Sequence, residues 1–470
     1  PAINFKTPGK FKQFLVFTKR DILSKIADTQ YLIITLLEAP VLAFFLAFLI
    51  KYFDASASDA HYTFAENENL PVYIFMSVIV AIFMGLTVSA EEIIKDRKIL
   101  KREAFLNLSW NSYLMSKVGV QFMISAIQAF TFVLVGNSIT GIHGLWFQYW
   151  LVLFSCWASA NMLGLVISDS FKAVVTIYIL IPFLVIPQII LSGVMVKYEK
   201  LNPNLSSPVT IPVYGELITA RWGYEALAVE QYINNKYERP FYIYYQTMSN
   251  ANFLKTFWNE KINERLTRLE SSLAEGIKDE TFTEDLDLLN YEIKKQLKKL
   301  PDEEYKYAEY LTTEKFNEEV LKETKKYIDR TRQYYINLYN RANSLKDKAM
   351  SEWEAKNNTK ITEFKNRYFN DKLEEFVTNK NEVKRVIVYK NRIYQKADPI
   401  FMEPESNFIR AHFYAPVKKI FGVPVSTLTV NVFVLWIITA FFYFALYFRL
   451  LKKLLDSGEV LMGKAGKSGE

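Results

Sequence analysis

Apolar positions in this chain gather into six long runs, at residues 31–50, 71–90, 118–135, 145–167, 173–196 and 424–448. Each approaches the roughly 20 residues that a helix rising 1.5 Å per residue needs to cross about 30 Å of hydrocarbon. Too few polar residues interrupt them for buried helices of a soluble core. The pattern predicts an all-α membrane protein with six transmembrane helices, five in 31–196 and one in 424–448. Ahead of the first run, Phe11, Phe14, Leu15, Ile22 and Ile26 recur at helical spacing, with Lys10, Lys12, Lys19 and Arg20 mostly on other faces. Residues 1–30 therefore read as an amphipathic connecting helix lying flat at the cytoplasmic membrane surface.

Between the fifth and sixth runs, residues 197–423, the pattern changes. Within an insert at about 249–396, Leu254, Trp258, Ile262, Leu266, Leu269, Leu273 and Ile277 form one helical stripe. Thr281 to Glu284 has the spacing of a capping box before a second stripe of Leu286, Leu289, Ile293, Leu297 and Leu300. A third, Phe316, Val320, Tyr327, Tyr334, Leu338 and Leu345, approximates heptads, which predicts an antiparallel helical hairpin or small coiled coil. Residues 386–394 have strand character around Lys390 and Asn391. The arm reads either as a docking device for an extracytoplasmic protein partner or as a solvated spacer.

Charge then sets the orientation. Lys and Arg number six in residues 1–30, six in 91–117 and five in the tail 449–470, and none in 53–69 or 137–144. By the positive-inside rule both termini are cytoplasmic and 197–423 lies outside, as expected of a multi-pass protein of a cell membrane, the bacterial inner membrane in particular. The first outer loop adds Asp54, Asp59, Glu66 and Glu68. Residues 251–400 hold 30 basic and 28 acidic residues, a mixture that argues against a nucleic-acid groove. A single cysteine, Cys156, and three scattered histidines exclude an internal disulfide and a His-based metal cluster, so no metal site is expected.

The densest charge near the lipid lies between the second and third runs: Glu91, Glu92, Lys95, Asp96, Arg97, Lys98, Lys101, Arg102 and Glu103, followed by Trp110, Tyr113, Ser116 and Lys117. Asp96 and Glu103 are seven residues apart on one helical face with Arg97 close by. Such a helix could dock a soluble cytoplasmic partner, or it could be a solvated loop whose bases merely satisfy the orientation rule. An acid-Arg pair, a following Arg-Glu pair and the later aromatic and Ser-Lys resemble the element after span two in ABCG-like (type V) ABC exporters. The turn of Ser192, Gly193, Val194 and Met195 is similar to that family's outer Ser-Gly-Leu-Leu, and Tyr214 through Glu225, Ala226 and Leu227 to its Tyr-x-x-Glu-Ala-Leu segment. The resemblance covers roughly residues 10–230 and 424–450. Asp96 stands where the family usually has Glu, Val194 and Met195 replace paired leucines, and the charged insert has no counterpart.

The resemblance implies a set of roles. Glu91, Asp96, Arg97, Arg102 and Glu103 would couple to an ATP-binding domain, and Val194 and Met195 would form an outer valve. Phe83, Met84 and Thr87 on span two and Phe183 and Gln188 on span five would line a cavity shared with a second transmembrane half, most simply an identical copy. The aromatic and methionine lining suggests an amphipathic or lipid-like cargo moved out of the cytoplasm or the inner leaflet, with membrane lipid as a partner. ATP and Mg would be held by the nucleotide-binding domain. Gly466, Lys467 and Ser468 do not make a phosphate loop here, because its first glycine would fall on Leu461. The ATPase is expected either N-terminal to Pro1 in the same gene product or as a separate subunit.

Polar residues within the spans are the remaining signal. Glu38, two residues before Pro40, is the clearest intramembrane charge, read either as part of a polar path or as a carboxylate paired with an inner-surface base. Gln121, Ser125 and Gln128, with Ser155, Ser159, Ala160 and Gly164, have the spacing of helix-packing contacts. Pro182 and Pro187 interrupt the fifth span. These readings favour the membrane half of an ATP-driven exporter working by alternating access. A mechanical transmitter acting through the arm and a non-transporting scaffold are the rivals.

Overall fold

The computed structural model describes residues 8–54, 61–103, 108–300 and 305–467, with side chains to residue 458. Pro1, Asp59 and Ser468 of the sequence reading lie outside these residues. The chain is predominantly helical and divides into two compact units: residues 1–231 with 407–409 and 418–470, and residues 232–406 with 410–417.

The first unit starts with α1 (Lys10–Ala27) and α2 (Thr29–Ile50), joined at Asp28, whose carboxylate caps α2 through the Tyr31 N–H. Next come α3 (Leu70–Ser89), α4 (Glu92–Glu103), α5 (Trp110–Thr140), α6 (Trp146–Ser170) and α7 (Val174–Ile190). Helices α2, α3, α5 and α6 are long and apolar enough to cross a membrane, and α7 is a shorter apolar helix. α6 is buried along most of its length and packs against α3 and α5. Small residues make this possible: a Cβ at Gly85 of α3 would sit 2.7 Å from Ala160 Cβ, and one at Gly164 of α6 would sit 2.0 Å from Ser89 Oγ. Polar contacts tie the same helices, with Asn161 Nδ2 donating to Ser125 Oγ at 2.6 Å and Gln128 Nε2 to the Thr35 carbonyl at 2.9 Å.

α7 ends at Ile190, short of the expected residue 196. Its 17 residues span about 26 Å. The Ser192 hydroxyl donates to the Ile189 carbonyl at 2.8 Å, and Gly193 turns the chain at φ 79° against the Tyr198 ring. Val194 and Met195 thus stand on a turn after the helix. A short helix α8 (Val213–Glu216) leads to α9 (Thr219–Ile233), within the stretch expected to lie outside the membrane. A Cβ at Gly223 of α9 would lie 2.6 Å from Cys156 Sγ and 3.0 Å from a Val78 methyl. Those residues are about 12–15 Å along α3 and α6 from their first residues, so α9 packs against the sides of both helices. Tyr224 meets Phe75 edge-on, with ring centroids 5.7 Å apart.

The second unit carries α10 (Tyr242–Phe253), a π-turn at Leu254–Trp258, α11 (Asn259–Glu275), α12 (Glu280–Lys299) and α13 (Glu318–Asn357). Trp258, Ile262, Leu266 and Leu269 close on Leu286, Leu289, Ile293, Val320, Tyr327 and Ile328 in one core. Two details differ from the sequence pattern. The N-cap of α12 is Asp279, whose carboxylate accepts the Phe282 N–H at 2.8 Å, and not Thr281, which lies inside the helix. Along α13 the buried positions pass from Tyr327 to Thr331, Tyr335 and Ala342, leaving Tyr334 and Leu345 exposed, because a 3.6-residue helix drifts off a seven-residue repeat. Helices α14 (Ile361–Tyr368) and α15 (Asp371–Val377) precede a hairpin of β1 (Val386–Tyr389) and β2 (Arg392–Gln395), in register Val386 to Gln395. Its two-residue turn is the expected Lys390 and Asn391, both at positive φ (49° and 55°) as a right-twisted hairpin prefers.

The chain returns to the first unit through a second hairpin, β3 (Val417–Ile420) and β4 (Val423–Ser426), and then α16 (Thr427–Tyr447), the last span candidate, packed on α6. The span therefore starts at Thr427 rather than at 424, since Val423–Ser426 pairs as a strand and the Ser426 hydroxyl caps the helix through the Thr429 N–H. The tail continues as helix α17 (Leu450–Lys467).

Candidate functional site

The charged segment between the second and third spans folds as α4, and its acids turn inward. Lys117, at the start of α5 and almost wholly buried, lies 2.5 Å from Asp21 Oδ1 of α1, 3.0 Å from Asp96 Oδ2 and 3.2 Å from Glu92 Oε2 of α4. Lys25 of α1 pairs with the other oxygen of Glu92, and the Tyr113 hydroxyl donates to Asp96 at 2.9 Å. Burial alone would lower the Lys25 ammonium, but Glu92, Tyr31 and Asp21, with the Glu92 hydrogen bond, together outweigh it and hold the pKa above its ordinary value. Arg20 grips Glu103 with bonds of 2.8 and 3.1 Å, and Glu91 pairs with Lys95 one turn on. α1, α4 and the foot of α5 are thus one ion-paired elbow.

The same helix is locked to α6 by exchange of caps. Ser168 Oγ accepts the Ile93 and Ile94 N–H groups at 3.0 and 3.1 Å, satisfying two of the free donors at the start of α4. In return Arg97 donates to the Ser168, Asp169 and Phe171 carbonyls at 3.0, 2.9 and 2.6 Å, where the last turn of α6 has free acceptors and a negative dipole end. The expectation that Arg97 sits with Asp96 and Glu103 is therefore corrected: it points to α6, while those two acids bind Lys117 and Arg20. What α4 presents to solvent is Lys95, Lys98, Ile99, Lys101 and Arg102. Of the five coupling candidates, Arg102 is exposed and the other four are partly buried and internally bonded or ion-paired.

The cavity candidates separate likewise. Phe83 is exposed on α3 and Phe183 on α7, whereas Met84 is fully buried inside the protomer and so is removed from any lining surface. Thr87 is half-buried, its hydroxyl on the Phe83 and Met84 carbonyls. Gln188 Oε1 accepts the Ala220 N–H at 3.0 Å, which spends its carbonyl on the start of α9. Met195 is exposed and Val194 half-buried. Glu38 is half-buried on α2, and among the described residues no hydrogen bond or ion pair reaches it, so the pairing with an inner-surface base is not formed.

A second polar centre has no precedent in the sequence reading. Lys418 of β3 reaches Glu225 Oε2 of α9 at 2.6 Å and Asn431 Oδ1 of α16 at 2.8 Å, and Asn431 Nδ2 donates to Glu225 Oε2 and the Trp222 carbonyl, both at 3.0 Å. Arg221 donates to Glu216 at 2.6 Å. Arg221, Glu225, Lys418 and Asn431 are all fully buried. Burial, and to a smaller degree Arg221, pull the Lys418 ammonium down to about 8 against the attraction of Glu225. The pair was hidden by its separation in sequence. The available hint was that Arg221 and Glu225 stand one helical turn apart among the apolar residues Trp222, Tyr224, Ala226 and Leu227.

Bundled helices long and apolar enough to cross a membrane, with a charged elbow, point to a multi-pass membrane protein. Residues 12–229, which contain α2 to α7 and the elbow, match the model of the ABC-2 type transporter family. The chain is also similar to the ABC transporter ATP-binding/permease protein Rv1747 of Mycobacterium tuberculosis, at 28% identity over 235 residues, 46% of this chain and 25% of the relative. It spans about a quarter of that curated relative's length.

Proposed function

We propose that the chain is the membrane-spanning half of an ATP-driven exporter, assembled as a pair around a shared cavity and driven by an ATP-binding domain that docks on α4. The observation that carries this reading is the division of α4 into an inward acidic side, spent on Lys25, Lys117 and Arg20, and an outward basic side of Lys95, Lys98, Lys101 and Arg102. A helix fixed at both flanks to α1, α5 and α6 moves as a rigid part of the bundle, so a push on its outer side reaches the spans. In this scheme Glu91, Asp96, Arg97 and Glu103 hold the helix in place, and Arg102 makes the contact. Phe83, Thr87 and Phe183 face the second half, and an amphipathic or lipid-like substrate leaves past Val194 and Met195. ATP and Mg are bound by the partner domain, a reading supported by the name ATP-binding/permease of the mycobacterial relative.

Arg102→Ala and Lys98→Glu test the contact in the chain assembled with its ATPase. Both side chains are exposed, so thermal stability is expected to hold while substrate-stimulated hydrolysis and export fall together. Unchanged stimulation in both variants would remove α4 from the coupling path. One observation also supports the transmitter reading: α13 has 40 residues, about 60 Å of continuous helix, in a unit with its own core. Export that survives excision of the arm would leave that reading without support.

A further inference from the structure

The hairpin before α16 ends in an apolar finger that the transport scheme leaves unused. Its turn residue Phe421 is 85% exposed and Val423 61%, and the Phe421 ring packs on Phe408, itself half exposed, with centroids 5.1 Å apart. The backbone around them is bonded: the Ile409 N–H reaches the Lys419 carbonyl at 2.7 Å and the Gly422 N–H the Asn407 carbonyl at 3.0 Å. Phe421 and Gly422 form the two-residue turn, both at positive φ, so large side chains are presented outward on a closed backbone.

We propose that this finger seats Phe408, Phe421 and Val423 in the lipid at the headgroup–acyl boundary of the leaflet where α16 begins. Depth is the first argument. α16 has 21 residues, about 32 Å, which matches the hydrocarbon thickness with nothing to spare, so Thr427 stands at its edge. Lys418 of β3 is tied to Asn431 in the second turn of that helix, and Phe421 is three residues, about 10 Å, farther along the strand. The tip is thus held near the level of one headgroup layer. Continuity is the second: Phe433, Ile437, Phe441, Phe444 and Phe448 form one exposed apolar stripe down α16 below it. Size is the third. A protein–protein contact needs about 800 Å² per partner, far more than three side chains supply, whereas a lipid boundary needs no complementary surface. Aromatic tips with a neighbouring Lys419 ammonium are the chemistry of that boundary. The seat would also hold β3, and with it Lys418, against Glu225 of α9.

A nitroxide at Phe421→Cys tests this in the whole transporter reconstituted in phosphatidylcholine–phosphatidylglycerol vesicles, since the native Cys156 is buried and escapes labelling. Val423→Cys gives a second reading should the turn variant not assemble. Phe441→Cys serves as the lipid reference and Val383→Cys, 91% exposed in the other unit, as the water reference. The expected result is relaxation by oxygen exceeding that by a water-soluble nickel chelate, as at Phe441→Cys. Relaxation dominated by the chelate places the finger in water and overturns the proposal. Protection from both reagents places it against protein, a second copy included, and overturns it equally. The reading does not depend on export or on which side of the membrane α16 begins.

Discussion

Lys117 is the residue on which the elbow turns, for it is the one described base that reaches three carboxylates of two other helices. Removing a buried partner strands charges that cannot be rehydrated, which costs about 3–5 kcal/mol. Lys117→Met is therefore expected to lower the unfolding temperature sharply, and adding Glu92→Gln should recover part of the loss because one stranded charge goes with it. Failure of the second change to recover anything would show that the cluster is not organised around this lysine. In the other unit Glu238 behaves oppositely. Burial, followed by the nearby Glu374 and opposed by Lys365, pushes its carboxyl up to about 8. A raised acid favours the protonated fold, so stability should be greatest below the unfolded value near 4.5 and decline as pH rises toward 8, by a few kcal/mol in all, since each pH interval of one between those two values is worth roughly 1.4 kcal/mol. Denaturation of Glu238→Gln as a function of pH should show this part of the slope gone, and the variant more stable than the parent at pH 9.

At the scale of elements, the α3–α6 contact is the closest packing between spans. The Cβ of Gly85→Ala would approach both Ala160 Cβ and the Trp157 carbonyl at 2.7 Å, and a backbone atom cannot step aside as a side-chain tip can. Overpacking of this kind costs about 1–3 kcal/mol, and Gly85→Val more, measurable as lost membrane-inserted protein and a lower unfolding temperature. Gly119→Ala, with nothing near its added Cβ, is the matched control and should be silent. The apolar runs that become these helices were legible because lipid allows few alternatives to a helix of fixed length. The small-residue spacing on α6 was legible for the same reason. The end of α7, the strand β4 and the packing of α9 on α3 and α6 were not. Each depends on a partner distant in sequence: Tyr198 closing on Gly193, β3 pairing with 423–426, and Lys418 neutralising Glu225 from 193 positions away. In the site, the charged composition of α4 was readable, but which side each charge faces was set by Lys117, Arg20 and the end of α6.

For the whole molecule, the decisive experiment is excision of residues 250–395. Its ends already lie together: Ser249 Oγ bonds Asp398 at 2.7 Å, Asn250 Nδ2 the Phe401 carbonyl at 3.2 Å, and Tyr242 the Ile400 carbonyl at 2.7 Å. A short Gly-Ser bridge should therefore close the gap without pulling on the spans. The shortened chain is expected to insert, bind its ATPase and keep substrate-stimulated hydrolysis. If hydrolysis persists while all output is lost, the arm carries the work and the bundle is its motor mount.

The exchange of caps between α4 and α6 has an evolutionary corollary. Because the bonds that anchor α4 come from its acids and Arg97 while Lys98, Lys101 and Arg102 stand exposed, those three positions are free to change without loosening the anchor. If an ATP-binding domain docks on α4 as proposed, a lineage would re-aim that contact by redrawing Lys98, Lys101 and Arg102 alone, and grafting those three positions between relatives is a direct route to exchanging the partner.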